Sequence, residues 1–372
     1  EEGAYHIWTK NEIDSILPPE EAAVFNRYFG VEESGNVAED PHGVFQGKNI
    51  LHIVQSIGDA STAAGMSDEQ AKAMLASSRQ ILAARRSMRP RCHLDDKILT
   101  SWNGLMISAF ARAYQVLGEE EYLHVAEKAA TFVLSHLRDT SSRELLHRYR
   151  DGEARFEAHL DDYAFLIQAL IDLYEASFTI DWLSEALSLA EDQTRLFYDH
   201  ENGGFFDTSG RDKSLLVRTK EWYDGAEPSG NSIAILNLLR LAQFTDNQTL
   251  DAMARTSLSF FGERLLAAGQ ATPQLLAALD FSLSKPAQII VAGSVNDTHT
   301  RVLLKEIHSH FIPNKILMLA DAIDGQTFLS GFIPFIGTLK TIDGLPTAYV
   351  CENYACQLPT SDPAVVAQLL SR

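Results

Sequence analysis

The tetrapeptide His-Leu-Asp-Asp occurs twice, at residues 93–96 and 159–162, and each copy directly precedes an apolar run with helical spacing. A third acidic stretch, EWYDGAEPSGN, places Asp224 just before another such run. The spacing is 66 residues from Asp96 to Asp162 and 62 residues from Asp162 to Asp224. A period of this length exceeds the ~34–47 residues of common helical solenoids. It fits two helices and two long loops, so the chain is predicted to repeat a large helical hairpin.

Hydrophobic spacing predicts eight helices between residues 67 and 283. The first begins with a capping box, in which Ser67 is followed by Gln70 three residues later. Three later helices start just after the acidic sites, and each is followed by a second helix, at residues 119–137, 181–197 and 246–263. Alternating helices with acidic loops at one end predict a ring of hairpins, an (α/α) toroid. In such a ring the N-termini of the inner helices surround one central cavity.

The regions on either side of this series have different patterns. In residues 1–66, AYHIWT alternates like a short strand, and NEIDSIL and PEEAAVFNRYF are predicted as short helices. Near the C-terminus, KPAQIIVAG and NKILMLAD are predicted as parallel strands joined by a helix in DTHTRVLLKEIHSHF. PTAYVC is predicted as a further strand and DPAVVAQLLSR as a final helix. The predicted domains are a mixed α/β segment at 1–66, a toroid at 67–283 and an α/β subdomain at 284–372.

Charge and hydropathy exclude several classes of partner. The chain has 31 Lys and Arg residues against 50 Asp and Glu residues, a formal net charge of −19. Such a surface repels phosphate backbones and anionic lipids, so neither nucleic acid nor a membrane is an expected partner. No apolar run approaches the ~20 residues that span a bilayer, and no signal peptide is visible, so a cytoplasmic location is favoured.

Cofactor and metal sites are not predicted. KPAQIIVAG is not followed by a glycine-rich phosphate loop, and the paired acids lack the Asp/Asn-Gly ladder of an EF-hand. Three cysteines are too few for a disulfide scaffold. Cys351 and Cys356 lie five residues apart, which is not the spacing of a redox motif or zinc knuckle. Reduced thiols are the favoured interpretation, and a disulfide or metal role is the alternative.

Each acidic site joins carboxylates to aromatic residues near a predicted helix start. The members of the three sites are His93, Asp95, Asp96, Trp102 and Asn103; His159, Asp161, Asp162 and Tyr163; and Trp222, Tyr223, Asp224, Glu227, Ser229 and Asn231. A structural interpretation competes, because an Asp or Ser before a helix is an ordinary N-cap that stabilises by about 1 kcal/mol. A cap needs neither a second acid nor an aromatic neighbour, so the repeated combination favours a binding role as well.

This mixture of residues suits a sugar. Carboxylates and Asn bind hydroxyl groups, aromatic faces cover C–H faces, and two carboxylates can act as general acid and base. The predicted catalytic residues are Asp96, Asp162, Asp224 and Glu227. The predicted substrate-binding residues are His93, Trp102, Asn103, His159, Tyr163, Trp222 and Asn231. His93 and His159 would instead be the proton bases of an epimerase, since imidazole titrates near neutral pH.

Several long stretches resemble a known family. RPRCHLDDKILTSWNGLMISAFARAY, DGAEPSGNSIAILNLLRLAQF and TAYVCENYACQLPTSDP, with similar segments along essentially the whole chain, resemble the spermatogenesis-associated protein 20 family and its YyaL-type bacterial relatives. The resemblance implies a six-hairpin (α/α)6 barrel, similar to N-acylglucosamine 2-epimerases and six-hairpin glycosidases, and a thioredoxin-like domain upstream. Eight helices are fewer than the twelve of six hairpins, and no initiator Met is present. We therefore expect an incomplete toroid that is the C-terminal portion of a longer protein.

These observations give two hypotheses for function. The first is a carbohydrate-active protein, either a glycoside hydrolase or a sugar epimerase, with a small carbohydrate as its partner and no cofactor. The second is a non-catalytic binding or scaffold module that works with the upstream portion of the same protein in redox handling or protein interaction. A deep acidic cleft would favour the first hypothesis, and a shallow or apolar cavity would favour the second.

Overall fold

The computed structural model describes residues 3–40, 43–352 and 355–371 and divides into two compact units, Glu1–Asp95 and Asp96–Arg372. The described residues of the first unit form four helices, α1 (Lys10–Ile16), α2 (Pro19–Tyr28), α3 (Ile57–Ala64) and α4 (Asp68–Ser87). The predicted capping box of α4 is confirmed, because Gln70 N–H donates to Ser67 Oγ and Ser67 N–H donates to Gln70 Oε1. Since α4 packs against α2 and α3, this helix of the predicted toroid lies within the N-terminal compact unit.

The prediction of a strand in AYHIWT is wrong. Trp8 forms one isolated bridge with Asn49, and the described residues around this pair form no continuous ladder. A strand needs successive paired residues, and here the partner segment supplies one pair. Instead, Trp8 is buried beside Ile13 and Phe25 and lies 4.0 Å from the guanidinium of Arg89, so the alternating hydrophobic pattern supplies core residues.

The second unit is dominated by helical hairpins. Its first eight helices are α5 (Thr100–Leu117), α6 (Glu120–His136), α7 (Leu160–Ser177), α8 (Ile180–Phe197), α9 (Gly230–Thr245), α10 (Gln248–Phe260), α11 (Gly262–Ala268) and α12 (Pro273–Leu283). The helix predicted at 246–263 ends at Phe260, and a new short helix begins at Gly262. Each of α5, α7 and α9 packs against the helix that follows it, which gives three consecutive hairpins.

An inner and an outer row of helices follow from the pattern of burial. Helices α7 and α9 are buried on almost every side, and α7 packs against both α5 and α9. Helices α6, α8 and α10 each bury one face only, as an outer row does. Helix α12 packs against α9 and continues the inner row. The second unit is mainly α and consists of helical hairpins whose inner helices pack side by side, as the sequence predicted for the toroid.

Two small sheets complete the unit. The first consists of β1 (Ile98–Leu99), β2 (Leu146–Arg150) and β3 (Glu153–Glu157), all antiparallel. The sequence analysis missed the hairpin formed by β2 and β3. Its turn contains Asp151 and Gly152, both with positive φ, which is the Asp-Gly signal of a tight two-residue hairpin.

The second sheet forms the predicted C-terminal α/β subdomain. Its elements are β4 (Ala287–Ala292), α13 (Thr298–Ser309), β5 (Ile316–Ala320), α14 (Asp324–Phe332), β6 (Thr347–Glu352), β7 (Ala355–Cys356) and α15 (Pro363–Leu370). The strand order is β5-β4-β6-β7, and the predicted parallel pairing of β4 with β5 is confirmed. The favoured interpretation of Cys351 and Cys356 as reduced thiols is wrong, because β6 and β7 place them directly opposite and they form a disulfide.

The contact between α5 and α7 depends on Gly104. A Cβ atom at this position would lie 2.6 Å from the backbone carbon of Phe165 and 2.8 Å from the nitrogen of Leu166. Backbone atoms cannot move aside as the end of a side chain can. Gly104 therefore sets the distance between two inner helices and the alignment of their first turns.

We predict that Gly104→Ala lowers the free energy of unfolding by about 1–3 kcal/mol, because the helices must separate to admit the methyl group. This loss exceeds the gain of up to ~1 kcal/mol that Ala normally gives within a helix. The matched control is Gly331→Ala in α14, where a Cβ would meet nothing within 4 Å. Urea unfolding should show a small gain or no change for the control. Equal effects of the two substitutions would contradict the prediction.

Candidate functional site

A cavity of about 880 Å³ opens at the N-terminal ends of the inner helices. Its wall contains Trp102 from the first turn of α5, Asp161 from the first turn of α7 and Gly230 from the first turn of α9. The loop before α9 supplies Glu227 and Tyr223. The sequence-based expectation that inner helices start around one cavity agrees with this arrangement.

Four carboxylates contribute to the wall, together with one histidine and two exposed aromatic rings. They are Asp161, Asp207, Glu221, Glu227, His159, Trp102 and Tyr223. Neither Lys nor Arg is among the lining residues that the structure describes. The cavity is therefore acidic and repels anionic ligands, while its aromatic faces can cover an apolar surface of a neutral ligand.

Within this cavity, the fold shifts the pKa of Asp161. Burial, and then the negative charge of Asp162, raises the pKa of Asp161 from 3.8 to about 6. Its Oδ1 accepts a hydrogen bond of 3.0 Å from the backbone N–H of Asp162. A carboxyl group with a pKa near 6 keeps a fraction of its protons near neutral pH, as a general acid must.

Glu227 and Trp102 are joined by a hydrogen bond. The indole Nε1–H of Trp102 donates to Glu227 Oε2 at 3.1 Å, although these residues are 125 positions apart in the chain. Trp102 remains 60% exposed, so its ring is available as a platform. The contact fixes the indole at the start of α5 against the loop that precedes α9.

Asp207 and Glu221 organise the remaining wall. Asp207 accepts hydrogen bonds from the hydroxyl of Thr219 at 2.6 Å and from the backbone N–H of Glu221 at 2.9 Å. Oε1 of Glu221 accepts from the backbone N–H groups of Trp222 and Tyr223. These bonds hold the segment that carries the phenol ring of Tyr223 into the wall.

Three of the eleven predicted site residues line this cavity: Glu227, Trp102 and His159. The ring of His159 is exposed and stacks on His147, with 5.3 Å between ring centroids. The hydrogen bond between His147 Nδ1 and Asp162 Oδ2, 2.8 Å long, raises the pKa of His147. The cavity wall thus combines an exposed imidazole with a carboxyl group that titrates near neutral pH.

Asp162 does not line the cavity, because its carboxylate is fully buried and occupied. Oδ1 accepts from Ser101 N–H at 2.9 Å. Oδ2 accepts from His159 N–H at 2.9 Å and bonds the ring of His147. These bonds cap the first turn of α7 and fasten it to the first turn of α5. The residue that seemed most suited to chemistry has a structural role.

Asp224 also has structural partners. Its Oδ1 accepts from Ser229 N–H at 2.8 Å, and its Oδ2 accepts from Gln274 N–H at 2.8 Å and from Leu275 N–H at 3.3 Å. It therefore caps the start of α12 and fixes the loop before α9. The structural interpretation, in which these acids are helix caps, therefore fits Asp162 and Asp224 better than the catalytic interpretation does.

Three further predicted site residues make internal contacts. Tyr163 is 1% exposed, and its hydroxyl accepts a hydrogen bond from Leu145 N–H at 2.9 Å, so it cannot be a sugar platform. Asn231 is fully buried and bonds the backbone of Phe205 and Glu221. Asn103 donates to the carbonyl of Leu99. Their helical positions turn these side chains towards neighbouring helices and strands.

The other predicted residues lie outside the described wall of this cavity. Asp96 is exposed and pairs with Arg150 at 2.7 Å. Trp222 lies against the guanidinium of Arg264, with 5.4 Å to the ring centroid. His93 is exposed in an irregular stretch of the first compact unit. Asp161, Glu221 and Tyr223 belong to the acidic stretches identified in the sequence but were not selected as site residues, and no sequence signal pointed to Asp207.

The described residues, 3–40, 43–352 and 355–371, contain neither a candidate metal cluster nor a candidate membrane span. Within them, no three His, Cys, Asp or Glu side chains are arranged to hold a metal ion. Within the same ranges, no helix combines the length and hydropathy that a bilayer crossing requires.

We predict that Asp162→Asn lowers the free energy of unfolding by about 2–4 kcal/mol, because an amide NH₂ cannot accept the hydrogen bonds that a carboxylate oxygen receives. The matched control is Asp96→Asn, which removes the same charge from an exposed ion pair and should cost about 1 kcal/mol or less. Urea unfolding at neutral pH measures both. A small effect at Asp162 would show that its hydrogen bonds do not support the fold.

We predict that Asp161→Asn raises the free energy of unfolding by about 1–3 kcal/mol at pH 7.5. The folded chain binds the Asp161 proton more tightly than the unfolded chain, so the native protein loses stability as pH rises from about 4 to about 6. The variant has no charge to bury, and its advantage should disappear below pH 4. Denaturant titrations across this range test the sign. The control is Asp343→Asn, an exposed left-handed turn position that should give no such pH dependence.

Comparison with solved structures gives partial likenesses. A cellobiose 2-epimerase from Bacillus thermoamylovorans B4167 is 18% identical with a TM-score of 0.39, over 46% of each chain. A family 105 glycoside hydrolase from C. acetobutylicum ATCC 824 is 14% identical with a TM-score of 0.38, over 55% of this chain and 60% of that chain. A GH76A α-1,6-mannanase from Salegentibacter sp. HEL1_6 is 13% identical with a TM-score of 0.36, over 68% of this chain and 70% of that one.

Comparison with known sequences gives full-length matches to this chain, although no family model matches it. Human spermatogenesis-associated protein 20 is 36% identical over 99% of this chain and 49% of its own length. The mouse protein of the same name is 35% identical over 100% of this chain and 49% of its own length. An uncharacterised protein of Caenorhabditis elegans is 31% identical over 100% of this chain and 52% of its own length. The chain spans about half the length of these relatives and is similar over its full length to the spermatogenesis-associated protein 20 family.

Proposed function

We propose that the chain binds a neutral carbohydrate in the cavity at the N-terminal ends of its inner helices and performs acid/base chemistry on it. The observation that carries the proposal is the shared wall of Asp161, Glu227 and Trp102, residues that three separate segments bring together. A volume of about 880 Å³ lies within the roughly 300–1,000 Å³ of small-molecule sites.

The composition of the wall supports a neutral, polyhydroxylated ligand. Carboxylates accept hydrogen bonds from hydroxyl groups, and the rings of Trp102 and Tyr223 can cover the C–H face of a pyranose. Among the described residues, four carboxylates but neither Lys nor Arg line the cavity. This charge disfavours the binding of phosphorylated and carboxylated sugars. Glycosidic or free sugars without charge fit this balance best.

The proposed roles differ from the initial prediction at one important position. Asp161 replaces its buried neighbour Asp162 as the carboxylate for proton transfer, since its pKa of about 6 leaves part of the population protonated near neutral pH. Glu227 or His159 would be the base, because both line the same cavity. A carboxylate base suits hydrolysis, whereas an imidazole base suits epimerisation or isomerisation.

The second hypothesis, a binding module without catalysis, uses the same wall and predicts ligand binding without turnover. The acidic character of the cavity gives it no specific support. It therefore stands as one outcome of the experiment rather than as a second proposal.

The test is a screen of the wild-type chain against neutral glycosides and free sugars, followed by Asp161→Asn and Glu227→Gln on any substrate found. Asp161→Asn should lower kcat by about 10²-fold or more, because it removes the acid, and Glu227→Gln should do the same where Glu227 is the base. Wild-type kcat/KM should fall as pH rises above about 6, where Asp161 loses its proton. Trp102→Ala should raise KM more than it lowers kcat, because the ring contacts the substrate without reacting.

The control is Asp96→Asn, a carboxylate outside the described wall of the cavity, which should keep normal turnover. Sugar binding with no turnover in the wild-type chain would favour the binding module. Normal turnover in Asp161→Asn would refute the assignment of the acid, and failure to bind any neutral sugar would refute the proposal.

A further inference from the structure

A second cavity lies towards the opposite, C-terminal ends of the same inner helices. It has a volume of about 630 Å³, and its wall contains Arg112 of α5, Glu175 of α7, Arg240 of α9 and Lys315 of the segment before β5. It shares no lining residue with the acidic cavity. Its character is cationic, although the chain carries a net charge of −19.

A buried ion network forms the floor of this second cavity. Asp172 accepts hydrogen bonds of 3.0 Å from both Nε and Nη2 of Arg112 and lies 2.7 Å from Arg240 Nη2. Burial by itself would raise the pKa of Asp172, but the charges of both arginines and a hydrogen bond from Ser108 lower it to about 2. Asp172 is therefore ionised at neutral pH and holds the two guanidinium groups in place.

The network leaves donors without acceptors. Arg240 is 4% exposed, and its Nη1 has no hydrogen-bond partner among the described residues, while its Nη2 is shared by Asp172 and Glu175. The ammonium of Lys315 forms neither a hydrogen bond nor an ion pair with the described part of the chain. Burial of a guanidinium donor without an acceptor is unfavourable, so these groups mark a place for an anion.

The charges also favour an anion. Three cations, Arg112, Arg240 and Lys315, face two carboxylates, Asp172 and Glu175, which leaves one positive charge in excess. His308 adds no charge at neutral pH, because burial and the nearby Lys315 lower its pKa to about 4. Both carboxylates already accept from the arginines, so they do not neutralise Lys315 at hydrogen-bond distance.

We propose that this second cavity binds a phosphate group between Lys315 and Arg240. A phosphate offers several strong acceptor oxygens and about two negative charges, so it can accept hydrogen bonds from the ammonium of Lys315 while the guanidinium of Arg240 in the same wall balances its charge. The cavity can hold more than the phosphate, so the natural ligand would be a compact phosphorylated molecule. This site is independent of the proposed carbohydrate chemistry, whose cavity excludes anions.

The test is calorimetric titration of the chain with inorganic phosphate at constant ionic strength set with sodium chloride. The wild-type chain should bind one phosphate, and Lys315→Gln should weaken binding by about tenfold or more, because it removes a charge-assisted contact. The matched control is Lys128→Gln on the exposed face of α6, which makes the same change of charge and should leave the affinity unchanged.

A second measurement keeps the native side chain. Burial lowers the pKa of Lys315, so its amine should react with an acetylating reagent faster than exposed lysines do at pH 8. Bound phosphate should slow that reaction severalfold at Lys315 but not at Lys128, as read by mass spectrometry. This readout applies even if Lys315→Gln disturbs folding.

The outcomes separate clearly. The proposal would be overturned if the wild-type chain bound no phosphate, or if wild type and Lys315→Gln bound it equally. It would also be overturned if phosphate did not protect Lys315 from acetylation. Succinate that binds more tightly than phosphate under the same conditions would overturn the assignment to phosphate in favour of a carboxylate ligand. Loss of sugar turnover with intact phosphate binding would concern only the carbohydrate proposal.

Discussion

The hydrogen bonds of Asp162 are the interaction on which the candidate site depends. One buried carboxylate receives N–H groups from the start of α5 and from the residue before α7, and it orients the ring of His147 on the β2–β3 hairpin. These bonds satisfy donors that a helix start leaves free, and they set the first turns of two inner helices side by side. The close approach at Gly104 maintains the same alignment one turn further along α5. The cavity wall is a consequence of this alignment.

The pair Asp161–Asp162 shows how a helix assigns different tasks to adjacent residues. Successive residues on a helix point about 100° apart, so one carboxylate faces the neighbouring helix and the other faces the cavity. The buried member, Asp162, is surrounded by donors and stabilises the fold. Burial of the half-buried Asp161, together with the charge of Asp162, raises the pKa of Asp161 to about 6. The tetrapeptide at residues 159–162 therefore combines a helix cap, Asp162, with a carboxyl group of raised pKa, Asp161.

The inner helices carry cavities of opposite charge at their two ends. The N-terminal end presents carboxylates, exposed aromatic rings and the ring of His159. The C-terminal end presents Arg112, Arg240 and Lys315 around the buried Asp172. Helix dipoles alone would favour the reverse distribution of ligands, so the side chains determine the character of both cavities. This separation would let one row of helices hold the two proposed sites, one for a neutral ligand and one for an anion, without mutual competition.

The sequence by itself determined the hairpin period, the paired helices from α5 to α10, the parallel strands β4 and β5 with the helix α13 between them, and the position of the acidic cavity at inner-helix starts. These features follow from local spacing of apolar residues and from the acids that precede each helix. Tertiary structure decided which acid of each group lines the cavity. It buried Asp162, Tyr163 and Asn231, used Asp224 as a cap for α12, and brought Asp207 and Glu221, which had not been selected, into the cavity wall. The cationic cavity was not predicted, because it depends on contacts between segments distant along the chain. The disulfide of Cys351 with Cys356 was only the alternative interpretation, because strand register decides whether the two thiols meet. Periodicity reports which face of a helix is apolar, but the partners of each polar group are known only once the helices are packed.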